Sequence, residues 1–138
     1  PDLDSALGYG AQFIVTPVIN EEVIISCVNK KIPVFPGALT PSEIYKAWDL
    51  GASIVKIYPA GHFGANYIKD VKAPLNKVRM MPTGGISTDN MQSFLEVGVD
   101  GFGIGSPLFN KTIINSKDWD ALGKHFYSYV ELFNNYNK

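Results

Sequence analysis

Strand-like runs recur along this chain about every 22 residues, and helical patterns fill the gaps between them. The runs at 12–16, 33–35, 54–58, 78–81 and 101–104 centre on Phe13, Val34, Val55, Arg79 and Phe102. Asn20 stands where it can cap a helix opening Glu21-Glu22, with acids facing the positive helix end. Thr40-Pro41-Ser42-Glu43 reads as a capping box with proline at the first helical position. The helix it opens carries Ile44, Ala47 and Trp48 on one face and stops at Gly51. Ser87 opens another helix, with Met91, Phe94 and Leu95 as its stripe and Gly98 as its stop. Trp119, Leu122, Phe126, Val130 and Phe133 form the expected apolar stripe of a long last helix. Strict alternation of strand and helix predicts parallel βα units.

Such units close in one of two ways, as an open doubly wound sheet or as a (β/α)8 TIM barrel. The dinucleotide fingerprint G-x-G-x-x-G opening a helix is absent, which disfavours the first. Gly-rich turns follow the last two strands, where barrels place phosphate sites, which favours the second. Five units are visible and a barrel needs eight, so about three more, roughly 60–75 residues, are expected before Pro1. Residues 1–138 are therefore expected to be the C-terminal part of a single α/β barrel domain, roughly its last five βα units. The outer runs, 12–16 and 101–104, would then be apolar edges awaiting partners.

The chain has 138 residues, a formal net charge of −1, 46% hydrophobic and 18% charged residues. That is ordinary globular composition, with no electrostatic footprint for nucleic acid or anionic lipid. Cys27 is the only cysteine, which excludes an intrachain disulfide and a multi-cysteine metal site; it is expected to fill core space. No apolar run approaches the roughly 20 residues of a membrane span, and a cytoplasmic protein is expected.

Lys56 carries the chemistry. It sits in Ile54-Val55-Lys56-Ile57-Tyr58, entered through Gly51-Ala52 and stopped by Pro59. A buried strand normally excludes an ammonium group, and desolvation there would lower its pKa. That is what an amine needs to attack a carbonyl as the free base. The plainer alternative is a strand-end lysine that snorkels to solvent. Tyr58, two residues on, points to the same side of the strand and could wall the site.

Met81-Pro82-Thr83-Gly84-Gly85-Ile86-Ser87 runs from a strand into a capped helix, and consecutive glycines let backbone N–H groups approach an anion. Gly103-Ile104-Gly105-Ser106 repeats the arrangement one unit later, with the Ser106 hydroxyl as a further donor. Together they read as a two-sided phosphate clamp. Thr16-Pro17 ends the first strand, and Phe35-Pro36-Gly37 is read as structural. His62 is read as a solvated loop residue and His125 as structural. Lys69, Lys72, Lys77 and Arg79 are read as a scattered solvated face.

Segments 10–17, 32–37, 55–60, 82–86 and 103–106 resemble, in order and spacing, the 2-keto-3-deoxy-6-phosphogluconate / 4-hydroxy-2-oxoglutarate aldolases. The pair Val55-Lys56-Ile57-Tyr58-Pro59-Ala60 and Pro82-Thr83-Gly84-Gly85-Ile86 is its most specific part. The resemblance implies a (β/α)8 barrel, a homotrimer, and a class I aldolase that needs neither metal nor other cofactor. It places the Schiff-base lysine on Lys56, the phosphate-binding groups on Gly84, Gly85, Gly105 and Ser106, and the stereochemical threonine on Thr83. The aromatic wall falls on Tyr58 and the strand-end proline on Pro17.

The implied partner is a small-molecule keto acid phosphate, cleaved reversibly to pyruvate and glyceraldehyde 3-phosphate. The implied second substrate is 4-hydroxy-2-oxoglutarate, cleaved to pyruvate and glyoxylate. The family's acid/base glutamate, its carboxylate-binding arginine and its Gly-Ala-Gly-Thr strand end have no counterpart here. None of Glu21, Glu22, Glu43, Glu96 or Glu131 is placed by the sequence opposite Lys56, so no base is assigned. Two other readings stay open: a different phosphate-binding barrel enzyme (an epimerase or a synthase), and a non-catalytic half-barrel.

Overall fold

A computed structural model describes residues 2–136. Helix α1 (Asp2–Gly8) leads to β1 (Ile14–Val15), α2 (Glu21–Asn29), β2 (Val34–Phe35) and β3 (Gly37–Ala38). Then follow α3 (Pro41–Asp49), β4 (Val55–Ile57), α4 (Ala60–Lys72), β5 (Met80–Pro82), α5 (Thr88–Glu96), α6 (Lys111–Asn115) and α7 (Trp119–Tyr136). The local signals act as expected at the helix starts. The Asn20 side chain accepts from the Val23 N–H, and Thr40 with Glu43 forms a complete capping box. Gly51 and Gly98 end their helices at positive φ.

Every strand pairing is parallel. β1 lies beside β2, and β3 beside β4 beside β5. Pro36 divides what would be one strand into β2 and β3, because it has no N–H to give the ladder. Pairing resumes on both sides of it: the Gly37 N–H donates to the Thr16 carbonyl and the Lys56 N–H to the Pro36 carbonyl. Within each of the two sheets strand order follows chain order, and among the described residues there is no reversal of the kind a doubly wound sheet requires.

Register sorts the side chains onto two faces. Ile14, Val34, Ala38, Val55, Ile57, Met80 and Pro82 share the row that helices cover, and most are fully buried. Val15, Phe35, Gly37, Lys56 and Met81 share the other row. No helix covers that face among the described residues, and Phe13 and Val15 stand 56% and 46% exposed there.

Four expectations are corrected. The run 101–104 is not a strand; a single parallel bridge joins Thr83 to Gly103. Glycines at 101, 103 and 105 offer no side chains to pack, and the Thr83 hydroxyl occupies the space beside Gly103. His62 lies in the first turn of α4 rather than in a loop, although it is exposed as expected. Gly61 and Gly64 hide that helix from the sequence, and Gly64 interrupts it at φ 71°, ψ 177°. On α7 the buried side is Leu122, Phe126, Tyr129 and Phe133, while Trp119 and Val130 fall at the stripe's rim and are exposed. Lys72 and Arg79 are not free solvated charges, since both ion-pair with Asp100.

Candidate active site

Lys56 is the middle residue of β4 and is only 8% exposed, although its row has no helix over it. Gly37 and Met81 flank it on the neighbouring strands. Its Nζ makes no ion pair or hydrogen bond among the described residues and lies 5.4 Å from the centre of the Tyr58 ring. An aromatic face favours the ammonium form. Desolvation opposes it, and burial holds the Lys56 pKa below its ordinary value. A solvated, snorkelling lysine would show neither this burial nor this shift.

Tyr58 stands just past the end of β4, and its N–H donates to the Ala38 carbonyl. Its ring rests on the backbone at Gly84, where a Cβ would come within 3.0 Å of the ring. Lys56, Tyr58 and the turn after β5 are thereby brought together. Thr83 belongs to the same row as Met81; its hydroxyl donates to the Met81 carbonyl at 3.3 Å and packs on Gly103. Gly84 and Gly85 both take positive φ, +84° and +73°, and their N–H groups have no acceptor among the described residues.

Gly105 and Ser106 line a hollow of about 630 Å³ with Asn110 and Lys111. Their N–H groups and the Ser106 hydroxyl are also without partners among the described residues. Gly84 and Gly85 are not part of that hollow's wall.

A wider groove of about 990 Å³ opens beside Pro17, Gly37, Leu39 and Tyr58, without Lys56 in its wall. Pro17 is positioned by Gly37, because a side chain there would sit 2.1 Å from the Pro17 carbonyl oxygen. Glu21, Glu22 and Glu43 reach this groove from α2 and α3. Glu21 is paired with Lys46 at 2.5 Å. Glu43 accepts from the Leu39 and Thr40 N–H groups, which hold its carboxyl below the usual range. None of these acids is bonded to Lys56 or to Tyr58. Among the described residues no cluster of three or more His, Cys, Asp or Glu could hold a metal ion.

His125 is tied into the fold, with Nε2 2.8 Å from the Pro107 carbonyl and its ring edge-on to Tyr129. Sequence reasoning missed Gly61; Gly37, read as structural, and Gly103, read as part of the second glycine-rich turn, likewise make room for neighbouring atoms of the site. Glycine just after a strand is the signal that could have found Gly61, since it marks close backbone approach.

A sequence profile described as KDPG and KHG aldolase matches residues 2–125. The chain is 37% identical over 108 residues to the 2-dehydro-3-deoxy-6-phosphogalactonate aldolase of Escherichia coli K12, covering 78% of this chain and 53% of that protein. It is 35% identical over 117 residues to the 2-dehydro-3-deoxy-phosphogluconate aldolase of Haemophilus influenzae, covering 83% and 55%. It superposes on the KDPG aldolase of Legionella pneumophila, solved with pyruvate captured as a covalent carbinolamine, at a TM-score of 0.79 and 25% identity, covering 88% of this chain and 60% of that one. The chain thus spans about half the length of these curated relatives.

Proposed function

The chain belongs to the KDPG and KHG aldolase family, and from that premise we propose that it carries the Schiff-base half of a class I aldolase. The observation that carries this reading is the buried, unpartnered Lys56 amine with its depressed pKa, beside an aromatic wall. The Lys56 amine adds to the C2 ketone of a 2-keto-3-deoxy-6-phospho sugar acid, and loss of water leaves an iminium. A base removes the C4 hydroxyl proton, the C3–C4 bond breaks, and its electron pair moves onto C3 and the iminium to form an enamine. Glyceraldehyde 3-phosphate departs; protonation at C3 and hydrolysis then release pyruvate and restore the amine. The same sequence acts on 4-hydroxy-2-oxoglutarate, with glyoxylate leaving. The carbinolamine seen in the Legionella relative is the first step of such a path in that protein.

Gly84, Gly85, Gly105 and Ser106 supply N–H and hydroxyl donors to the remote phosphate, with the role of placing the reacting carbons. Thr83 and Pro17 complete the walls. Every carboxylate near the groove is exposed or already engaged, so the proton acceptor is assigned to residues outside 1–138.

The rest of the assembly follows from the uncovered sheet face. Residues 1–138 supply roughly the last five units of a (β/α)8 barrel, whose closure covers Phe13, Val15 and Lys56. Exposed apolar residues on the helices, among them Tyr45, Phe63 and Tyr127, suit assembly into the homotrimer that the family resemblance implies. A single buried, unpaired Cys27 suits the cytoplasm.

Borohydride reduction of the native protein in the presence of pyruvate tests the chemistry. A pyruvate adduct on Lys56, absent from Lys56→Met, is expected. Full turnover of the native reaction by Lys56→Met would replace this reading with that of another phosphate-binding barrel enzyme.

A further inference from the structure

We propose that Gly61, in the first turn of α4, is a positioning residue that aims the Gly84 and Gly85 N–H groups at a substrate anion. This inference rests on the aldolase reading for the identity of the anion, a phosphate ester, but not for the geometry. In a trans peptide the carbonyl and the N–H that follows point in opposite directions, and the only cis bond among the described residues is Tyr58–Pro59. The Thr83 carbonyl accepts from the Ala60 N–H at 2.9 Å, and the Gly84 carbonyl accepts from the Gly61 N–H at 2.8 Å. Two successive peptides of the turn are thus held carbonyl-first against the start of α4. The N–H groups of Gly84 and Gly85, on the far sides of those same peptides, must point away from it.

The Gly85 carbonyl is engaged as well, by the Asn90 side-chain amide at 2.8 Å. The carbonyls of this turn are therefore satisfied while two adjacent N–H donors have no acceptor among the described residues, and the turn is open enough for a ligand to reach them, with Gly85 exposed and Gly84 half-buried. Consecutive donors of this kind form an anion-binding concavity.

Gly61 makes the arrangement possible by its lack of a side chain. A Cβ there would lie 2.8 Å from Gly85 Cα, 2.8 Å from the Gly85 oxygen and 2.9 Å from the Gly84 oxygen. All three are backbone atoms, so relief requires moving the turn itself. The φ of Gly61 is not in the left-handed region, so alanine meets no conformational barrier at this position and the contact alone is tested. Gly64, three residues on in the same helix, is the opposite case. It has φ +71° and open space around it, so Gly64→Ala strains α4 without touching the turn.

The test follows Gly84 and Gly85 amide resonances in the native protein as inorganic phosphate is added. Saturable shifts of both are expected. Gly61→Ala should weaken phosphate binding and raise KM for the phosphorylated keto acid by about tenfold or more, while pyruvate trapping at Lys56 stays within about twofold. Gly64→Ala should leave phosphate affinity unchanged. Amides that do not respond to phosphate in the native protein overturn the proposal, and this holds even if Gly61→Ala fails to fold. So does a folded Gly61→Ala that binds phosphate normally, or a Gly64→Ala that weakens it equally. Failure of the native protein to form the Lys56 adduct would instead strike the aldolase reading.

Discussion

The Lys56 Nζ lies 5.4 Å from the centre of the Tyr58 ring, and the same ring rests on the backbone of Gly84. One side chain therefore joins the buried Lys56 amine to the Gly84-Gly85 turn, across two adjacent parallel strands. The ring has two physical effects on the amine. It attracts the ammonium, by about 2 kcal/mol for a desolvated cation, and it excludes water from it. Desolvation by burial, to which the ring contributes, holds the Lys56 pKa below its ordinary value.

Adduct formation with pyruvate is accordingly expected to rise with pH and to level off below the ordinary lysine range. Tyr58→Phe should keep that midpoint. Tyr58→Ala should move it upward, toward a solvated lysine. Borohydride trapping rates measured across pH check both, and an unchanged midpoint in Tyr58→Ala would show that the ring does not shield the amine.

The same shift predicts a pH dependence of stability. Between the folded and the unfolded pKa of Lys56 the unfolded chain holds more protons, so stability rises with pH across that window. Below the folded pKa the full penalty of burying the charge is present. Lys56→Met should therefore be more stable than the native protein near neutrality, with the difference shrinking as pH climbs toward the ordinary lysine value. Denaturant midpoints at a series of pH values measure it.

Gly37→Ala is expected to destabilise the fold by about 2 kcal/mol, since the added methyl meets the Pro17 carbonyl oxygen at 2.1 Å and backbone must shift to admit it. Urea unfolding gives the value. A loss under about 0.5 kcal/mol, the range of ordinary surface changes, would mean that the β1–β3 contact is loose.

Thr40→Ala should cost about 1 kcal/mol by removing the N-cap of α3. The loss should appear in the denaturant midpoint without a change in its slope, because the exposed surface of the unfolded chain is the same.

The 138-residue chain on its own is expected to associate in solution. Its uncovered sheet face presents Phe13, Val15 and Tyr58, and β1 forms an unprotected edge. Val15→Lys should reduce that association, as read by light scattering. A native chain that stays monomeric at high concentration and unfolds cooperatively would overturn the partial-barrel reading.

What the sequence alone determined is local. The capping box at Thr40 and Glu43, the Asn20 cap and the stops at Gly51 and Gly98 depend on groups a few residues apart, so their residue types specify them. The alternation of apolar strands with these helices was enough for parallel βα winding, and a lysine inside such a strand was enough to anticipate a buried amine with a lowered pKa. Tertiary structure decided the rest. The reduction of 101–104 to one bridge and the start of the helix at Gly61 each involve a distant partner, Thr83 and Gly84 respectively. The orientation of the Gly84 and Gly85 donors belongs to the same class. Glycine permits many backbone conformations, and hydrogen bonds from the start of α4, more than 20 residues earlier in the chain, select the one that turns these N–H groups away from that helix.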